Sequence, residues 1–333
     1  QSTDSAIFSN QLYRLESLEE KTQRLYKYQS DPYYDHPDNE PLENHDIGCI
    51  TVEVDYVRSP STEIQAAITV IGRRDVGFIQ DSNQCLDLSQ IHLQDICFTG
   101  NYENIDFGGS YFHCVSFRET SLRGADFSSA IFSSVKAEES NFQQAILRKI
   151  SLYASVFSRV EFEAANLENA HITQTKFVGC IFVDASLGGI RFSKSISPLP
   201  DFKGESFQVW EFNKDNEIIN CSFDRADLND SCLGDLKCQN SSFIACTLED
   251  TNINSATFED SDFQEANLQG ASLGSDRNNY ERRGKVMFKD TEFKGSNLRK
   301  VRLHKNVYFN NVKNISDERI KSFISRRNTS NQE

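Results

Sequence analysis

From Phe107 to Phe192 the chain places a large apolar residue at every fifth position: Phe107, Phe112, Phe117, Leu122, Phe127 and Phe132, then, after Ala137 in the same phase, Phe142 onward to Phe192. A smaller set, including Ser110, Val115, Thr120, Ala125 and Ala130, lies two positions before each large residue. A period of five matches neither the 3.6 residues of a helical turn nor the alternation of a flat strand. Two inward side chains two apart, followed by a corner, describe a short β segment that bends and repeats. Four such units make a square turn of about twenty residues, so Phe107, Phe127, Leu147, Leu167 and Leu187 should stack on one face, about 4.7–4.9 Å apart.

The period returns from Phe223 to Leu273 and resumes at Phe288, Phe293, Leu298, Leu303 and Tyr308; Leu88, Leu93 and Phe98 begin it, with Asn101 to Asn104 shifting the phase by one residue. Fragments such as Ala125-Asp126-Phe127, Ala165-Asn166-Leu167, Ala226-Asp227-Leu228 and Ala266-Asn267-Leu268 resemble the Ala-(Asp/Asn)-Leu-x-x unit of the pentapeptide-repeat proteins, roughly from Cys85 to Val312. The resemblance implies an all-β solenoid, a right-handed quadrilateral β-helix. The Asp or Asn between the inward residues is expected to face solvent. Each buried Leu or Phe contributes about 1.5–3 kcal/mol before chain entropy is subtracted. Stacking of this kind needs a cap at each end.

Three regions follow: a mainly helical N-terminal unit over 1–84, the β-helix over 85–312, and a C-terminal capping helix with its tail over 313–333. At the C-terminus Ser316 is the expected helix N-cap, with Asp317 and Glu318 in the first turn and Ile320, Phe323 and Ile324 on one face. In the N-terminal unit, Ile7, Phe8, Leu12 and Leu15 suggest an amphipathic helix. A second helix starts at Ser61 or Thr62, carries Ile64, Ala67, Ile68 and Ile71 on one face, and ends near Gly72-Arg73-Arg74. The string Ile64 to Arg74 resembles a segment preceding the repeats in bacterial, often membrane-anchored members of the family. No hydrophobic run here has membrane-spanning length. The chain starts at Gln1, which fits an upstream anchor and an ordinary trimmed start equally well.

Two breaks interrupt the period. Residues 193–222 contain Pro198, Pro200 and the only tryptophan, and Phe207, Trp210 and Phe212 either fold back on the column or grip a partner. Residues 274–286 place Arg277, Tyr280, Arg282 and Arg283 where apolar residues would otherwise fall, yet Leu273 to Phe288 is a whole number of pentads, as in a loop that leaves and rejoins in phase. These seven side chains are the candidate partner-binding residues.

Charge changes the picture by its distribution. The net charge is −14, made of −8 over residues 1–85, −14 over 86–275 and +8 over 276–333. An acidic body repels nucleic acid and attracts basic surfaces. The nine cysteines form no Cys-x-x-Cys pair, and Cys180, Cys221, Cys246 and Cys238 fall in inward slots, which argues against a disulfide framework or zinc site and for a reducing, cytoplasmic setting. The six histidines show no metal-ligand spacing, and His113 and His171 are expected at solvated outward or corner positions. No phosphate loop, nucleophile elbow or His-Glu-x-x-His occurs, and neither cofactor nor metal is implied.

The expected function is therefore a non-catalytic scaffold for protein–protein interaction on a rigid acidic column, with a protein partner rather than nucleic acid, either cytoplasmic or membrane-associated through a missing N-terminal segment. The resemblance supplies an alternative, because some acidic family members mimic DNA and bind type II topoisomerases such as gyrase. An enzyme carrying the column as a substrate-binding domain is a third class, for which the N-terminal unit offers no catalytic motif.

Overall fold

The computed structural model describes residues 62–73, 86–193, 215–274 and 285–330. The repeats form a β-solenoid with four faces. Face B is a ten-stranded parallel sheet running from His92–Gln94 to Arg302–Leu303, and face C is a second ten-stranded parallel sheet from Cys97–Asn101 to Val307–Asn310. Faces A and D are ladders of single parallel bridges. Face A passes through Asp87, Asp106, Asp126, Ile146, Asn166, Ser186, Asp227, Thr247, Asn267 and Asn297, and face D runs from Ser121 to Lys313.

The inward columns follow from the five-residue period. Face A stacks Phe107 on Phe127 at 5.1 Å. Face D stacks Phe142, Phe162, Phe182, Phe223, Phe243, Phe263 and Phe293, with centroid spacings between 4.6 and 5.4 Å. That spacing is the distance between neighbouring strands, so the backbone ladder itself holds the rings in dispersion contact. The smaller inward slots take Ala, Cys, Ser and Thr, and their hydroxyls find backbone acceptors: Ser140 donates to Glu138 O at 3.0 Å, and Thr251 to Leu228 O at 2.9 Å. These two hydroxyls are thus satisfied without a partner side chain.

The phase change lies elsewhere than the sequence suggests. Pairing slips between Phe98, opposite Phe117, and Gly100, opposite Thr120, so the missing residue is at the corner Phe98–Gly100 and not in 101–104. Gly100 has φ +99°, and a Cβ there would stand 2.2 Å from Gly72 O. Tyr102 then takes the large inward slot, fully buried. At the far end the expected inward Tyr308 is instead 38 % exposed, because Phe288 pairs with Phe309 across a register one residue longer. The additional residue is taken up in the turn at Lys305-Asn306.

The described strands on either side of each break keep their pairing register. Arg191 pairs with Cys232, and Lys176 with Glu217, so the coil is in place again by Asn216. Asn216 was hidden from the hydrophobic pattern because an amide fills a small inward slot. Its Oδ1 accepts from Thr175 N at 3.1 Å and its Nδ2 donates to Ser193 O at 3.2 Å, closing the re-entry point. Ser272 pairs with Arg302 and Phe258 with Phe288, which restores the phase after the second excursion, as the pentad count requires. Both breaks begin at the corner between faces B and C, after Ser193 and Gly274.

Helix α1, Thr62–Gly72, lies over the first coil. Ile68 is buried, and Ile64 and Ile71 pack against the core, whereas Ala67 is exposed and Gln65 takes the facing position instead. Helix α2, Glu318–Ser330, closes the last coil with Ile320, Phe323 and Ile324, the Phe323 ring standing edge-on to Phe309 at 6.4 Å. Its N-cap is Asp317 rather than Ser316: the Asp317 carboxylate accepts from Arg319 N at 2.9 Å and Ile320 N at 3.3 Å.

Candidate interaction surface

Every coil turns four corners, and nearly every corner ends in a residue with positive φ, such as Ser129, Gln144, Lys149, Asn169 and Asp230. This explains the Gly, Asn and Asp at these places. On faces A and D the Asp or Asn between the two inward residues does more than face solvent. Asp106 accepts from Gly108 N at 2.7 Å, Asp126 from Ser128 N at 2.7 Å, Asp227 from Asn229 N at 3.0 Å and Asp262 from Gln264 N at 2.8 Å. Each carboxylate builds its own turn, and the following i→i+3 bond, as from Ala130 N to Phe127 O at 3.0 Å, completes the corner.

Many other carboxylates, including Glu138, Glu139, Asp184, Glu249, Asp250, Glu259 and Asp260, stand at corners rather than face centres. Several meet bases across coils. Arg159 bonds Glu138 at 2.7 Å and Glu139 at 2.9 Å, and Arg225 grips Asp184 through two 2.7 Å bonds. Lys289 pairs with Glu259. These groups are solvent-exposed, so each pair adds little stability, and their effect is on the field outside the column.

Face B differs. Its units 110–114, 130–134, 150–154 and 170–174 carry no Asp, Glu, Lys or Arg, and present Tyr111, Ile131, Tyr153 and His171 outward. His113, expected at a solvated position, is only 7 % exposed, with Nδ1 3.2 Å from Ser133 Oγ. It lies near the Tyr111 ring, which meets His92 edge-on at 4.7 Å. Burial, aided by His113, pushes the His92 imidazole down to about 4. Burial likewise raises the Tyr153 phenol. No sequence signal marks this cluster, since outward positions of a pentad accept any residue type.

The inward cysteines behave as hydrophobes. Cys180, Cys221, Cys238 and Cys246 are buried, and burial pushes the Cys238 thiol up to about 12. Among the described residues no group of three or more His, Cys, Asp and Glu is placed to hold a metal ion. No described helix is long and apolar enough to cross a membrane. The candidate partner-binding residues Phe207, Trp210, Phe212, Arg277, Tyr280, Arg282 and Arg283 all lie outside the described residues.

A column of stacked parallel coils, each of four five-residue sides filled with apolar side chains, defines a β-solenoid whose outer faces alone are available for contact. Comparison with family models finds eight copies of the pentapeptide repeat, at residues 110–148, 155–193 and 237–274. The chain is a pentapeptide-repeat protein. Among solved structures it is similar to HetL, a pentapeptide-repeat protein involved in heterocyst differentiation regulation from the cyanobacterium Nostoc sp. strain PCC 7120. The identity is 18 %, 67 % of this chain and 89 % of that one are covered, and the TM-score is 0.44. It is also similar to full-length QnrB1, a plasmid-mediated fluoroquinolone resistance protein, at 17 % identity, 71 % and 96 % coverage and a TM-score of 0.27. A third is Rfr23 from the cyanobacterium Cyanothece 51142, at 15 % identity, 45 % and 64 % coverage and a TM-score of 0.16. No curated protein matches the chain.

Proposed function

We propose that this protein is a non-catalytic scaffold that binds other proteins through the outer walls of its column. The observation that carries this reading is the filled interior. From Leu93 to Val307 the inward side chains are almost all below a tenth exposed, and the buried polar ones are Ser, Thr and Asn bonded to backbone. Chemistry needs a concave, partly polar site. A solid column offers walls and corners, which suit a rigid contact surface that costs little entropy to present.

The alternative, a DNA mimic acting on a type II topoisomerase such as gyrase, draws support from paired acids at successive corners, Glu249-Asp250 and Glu259-Asp260. Against it, bases interrupt the negative surface at Arg148 and Lys149 and again over the last coil. Photo-cross-linking residues placed singly at outward positions on the four faces, for example at Ser151, Lys237, Ser242 and Thr247, test the first reading in cells. Adducts with a different protein confined to one or two faces support it. No such adduct from any face removes it. A gyrase supercoiling assay tests the second: inhibition at micromolar protein is its expected result, and unchanged supercoiling with no binding excludes it.

A further inference from the structure

Along the column, bases are answered by acids: Arg148 meets Glu168 at 3.3 Å, Lys176 meets Glu217 at 2.6 Å and Lys237 meets Asp215 at 2.7 Å. On one side of the last coil they are not. Arg299 and Lys300 at the corner before face B, Arg302 on that face and Lys305 in the turn after it are all exposed, and none makes an ion pair among the described residues. The coil beneath explains this, since Gln269, Gly270 and Ser272 stand below Arg299, Lys300 and Arg302 and carry no charge. Arg302 reaches only Gly270 O, at 3.5 Å.

The backbone at the same place is open as well. One coil down, Ala271 O and Leu273 O accept from Arg302 N at 2.9 Å and His304 N at 3.0 Å. Their counterparts on the last coil, Val301 O and Leu303 O, accept no hydrogen bond among the described residues. The Leu303 N–H, lying between two that point to the coil below, faces the same free edge. Helix α2 reaches face A, where Arg319 bonds Leu298 O at 3.1 Å, and face C, where Phe323 meets Phe309. On face B, Leu303 is the one described large inward residue that is only partly buried. We propose that this edge receives an extended segment of another protein as an eleventh strand of face B, and that the segment alternates acidic with apolar residues. The proposal rests on the scaffold reading and deepens it, by naming the chemistry of one partner.

The alternation follows from strand geometry, which sends successive side chains to opposite faces. A side chain above Leu303 covers the end of the apolar interior, whereas its neighbours project beside Arg302, with Arg299, Lys300 and Lys305 to either side. Apolar residues suit the first place, and Asp or Glu the second. Charges on a sheet edge ordinarily refuse further strands; these four refuse a basic strand and the same edge of a second copy, and admit an acidic one. A run of acids alone would set carboxylates over the core at a desolvation cost. A nucleic acid supplies the charge without a peptide N–H to meet Val301 O and Leu303 O. A few main-chain bonds and exposed ion pairs make the complex weak and sensitive to salt.

Fluorescence anisotropy of the full chain with a fluorescein-labelled peptide, Glu-Val-Glu-Val-Glu-Val, measures this. A dissociation constant of roughly 10–100 µM is expected at ~20 mM salt, weakened about tenfold or more at ~500 mM. The block peptide Glu-Glu-Glu-Val-Val-Val, equal in charge, should bind about fivefold more weakly, because it cannot place acids and apolar residues on opposite faces. Arg302→Glu should lose about tenfold, while Arg225→Glu, the same charge change on a distant coil, should lose less than about twofold. Unchanged urea midpoints check that both variants stay folded. Hydrogen exchange followed by NMR reads the main-chain part, since the Leu303 N–H should slow about tenfold on binding. No binding at low salt, equal binding of the two peptides, an Arg302→Glu variant that binds as before, or an unprotected Leu303 N–H would each overturn the added strand. Self-association of the chain that Arg302→Glu removes would name a second copy as the occupant and overturn it too. Cross-links from the walls at Ser151 and Lys237 would survive any of these outcomes, and their absence would leave peptide binding intact, so the two readings fail separately.

Discussion

The two ends of the solenoid solve the same problem with opposite chemistry. Each leaves an unpaired coil edge, an invitation to further strands. At the first coil, the neutral amide of Gln65 substitutes for a strand neighbour, and Tyr102 reaches from the inward column to donate its OH to Ile68 O at 2.8 Å. At the last coil a charged pair does the closing: Asp317 caps α2 while Arg319, bonded to that carboxylate at 2.8 Å, bonds Leu298 O. The surroundings differ in sign as well. Residues 86–117 contain four acids and no Lys or Arg, whereas 293–316 contain six bases and no acid. The first end is thus sealed by packing and neutral hydrogen bonds, the last by ions, and the ends should respond differently to truncation, strain and acid.

Removing the Tyr102 ring is the largest expected perturbation. Tyr102→Ala opens a cavity beside Phe98, whose ring lies 4.9 Å away, and should cost about 3–5 kcal/mol in urea unfolding, with loss of hydrogen-exchange protection concentrated in the first two coils. Tyr102→Phe keeps the ring and should lose only about 1 kcal/mol. Equal losses from both variants would show that the ring packs no better than a void.

Acid should loosen the first end before the last. The His92 imidazole takes its proton near 4 in the folded protein and near 6.5 when unfolded, so the unfolded chain binds more protons in between and stability falls as the pH drops from 6.5 to 4. The expected loss approaches about 3 kcal/mol, read from denaturation midpoints and flattened in His92→Gln. At the other end the Arg319 guanidinium holds the Asp317 carboxyl below its usual 3.8. Its cap contributes fully above 3.8 and is lost only as the pH falls through that lower folded value. A midpoint that stays constant from pH 7 to 4 would contradict the buried state of His92.

Strain gives the next effect. Gly100→Ala places a Cβ against Gly72 O in a backbone conformation that L side chains rarely adopt, and should cost about 1–3 kcal/mol while displacing α1. Limited proteolysis before Leu86 should quicken; an unchanged digestion rate would mean α1 is held by other contacts. The smallest effect belongs to the last end. Asp317→Ala removes the cap of α2 and should cost about 1 kcal/mol, while Asp317→Asn, which can still accept from the backbone, should recover most of it.

The five-residue period made the inward columns legible residue by residue, because a corner every fifth position leaves only two side chains per unit that can point inward. Cys180 and Cys246 could be assigned to small slots and Cys238 to a large one for the same reason. The points misread are those where the chain departs from strict counting. The corner lost at Phe98–Gly100, the residue gained before Val307, and the re-entry at Asn216 each preserve inward packing by changing a turn, and turns carry weak sequence signals. His113 was misplaced because outward positions obey no composition rule, so their burial depends on what lies across the face.

The sequence by itself determined the class of fold, the filling of the interior and the phase after the second break, since all three are properties of a one-dimensional repeat whose units contact only their neighbours. Only the tertiary structure decided which residues share a face. Residues twenty apart become neighbours once the coil closes, and insertions of other lengths reset that count after Ser193 and Gly274. The uncharged stretch of face B and the two unlike seals at the ends exist only after that winding, which is why no linear reading could find them.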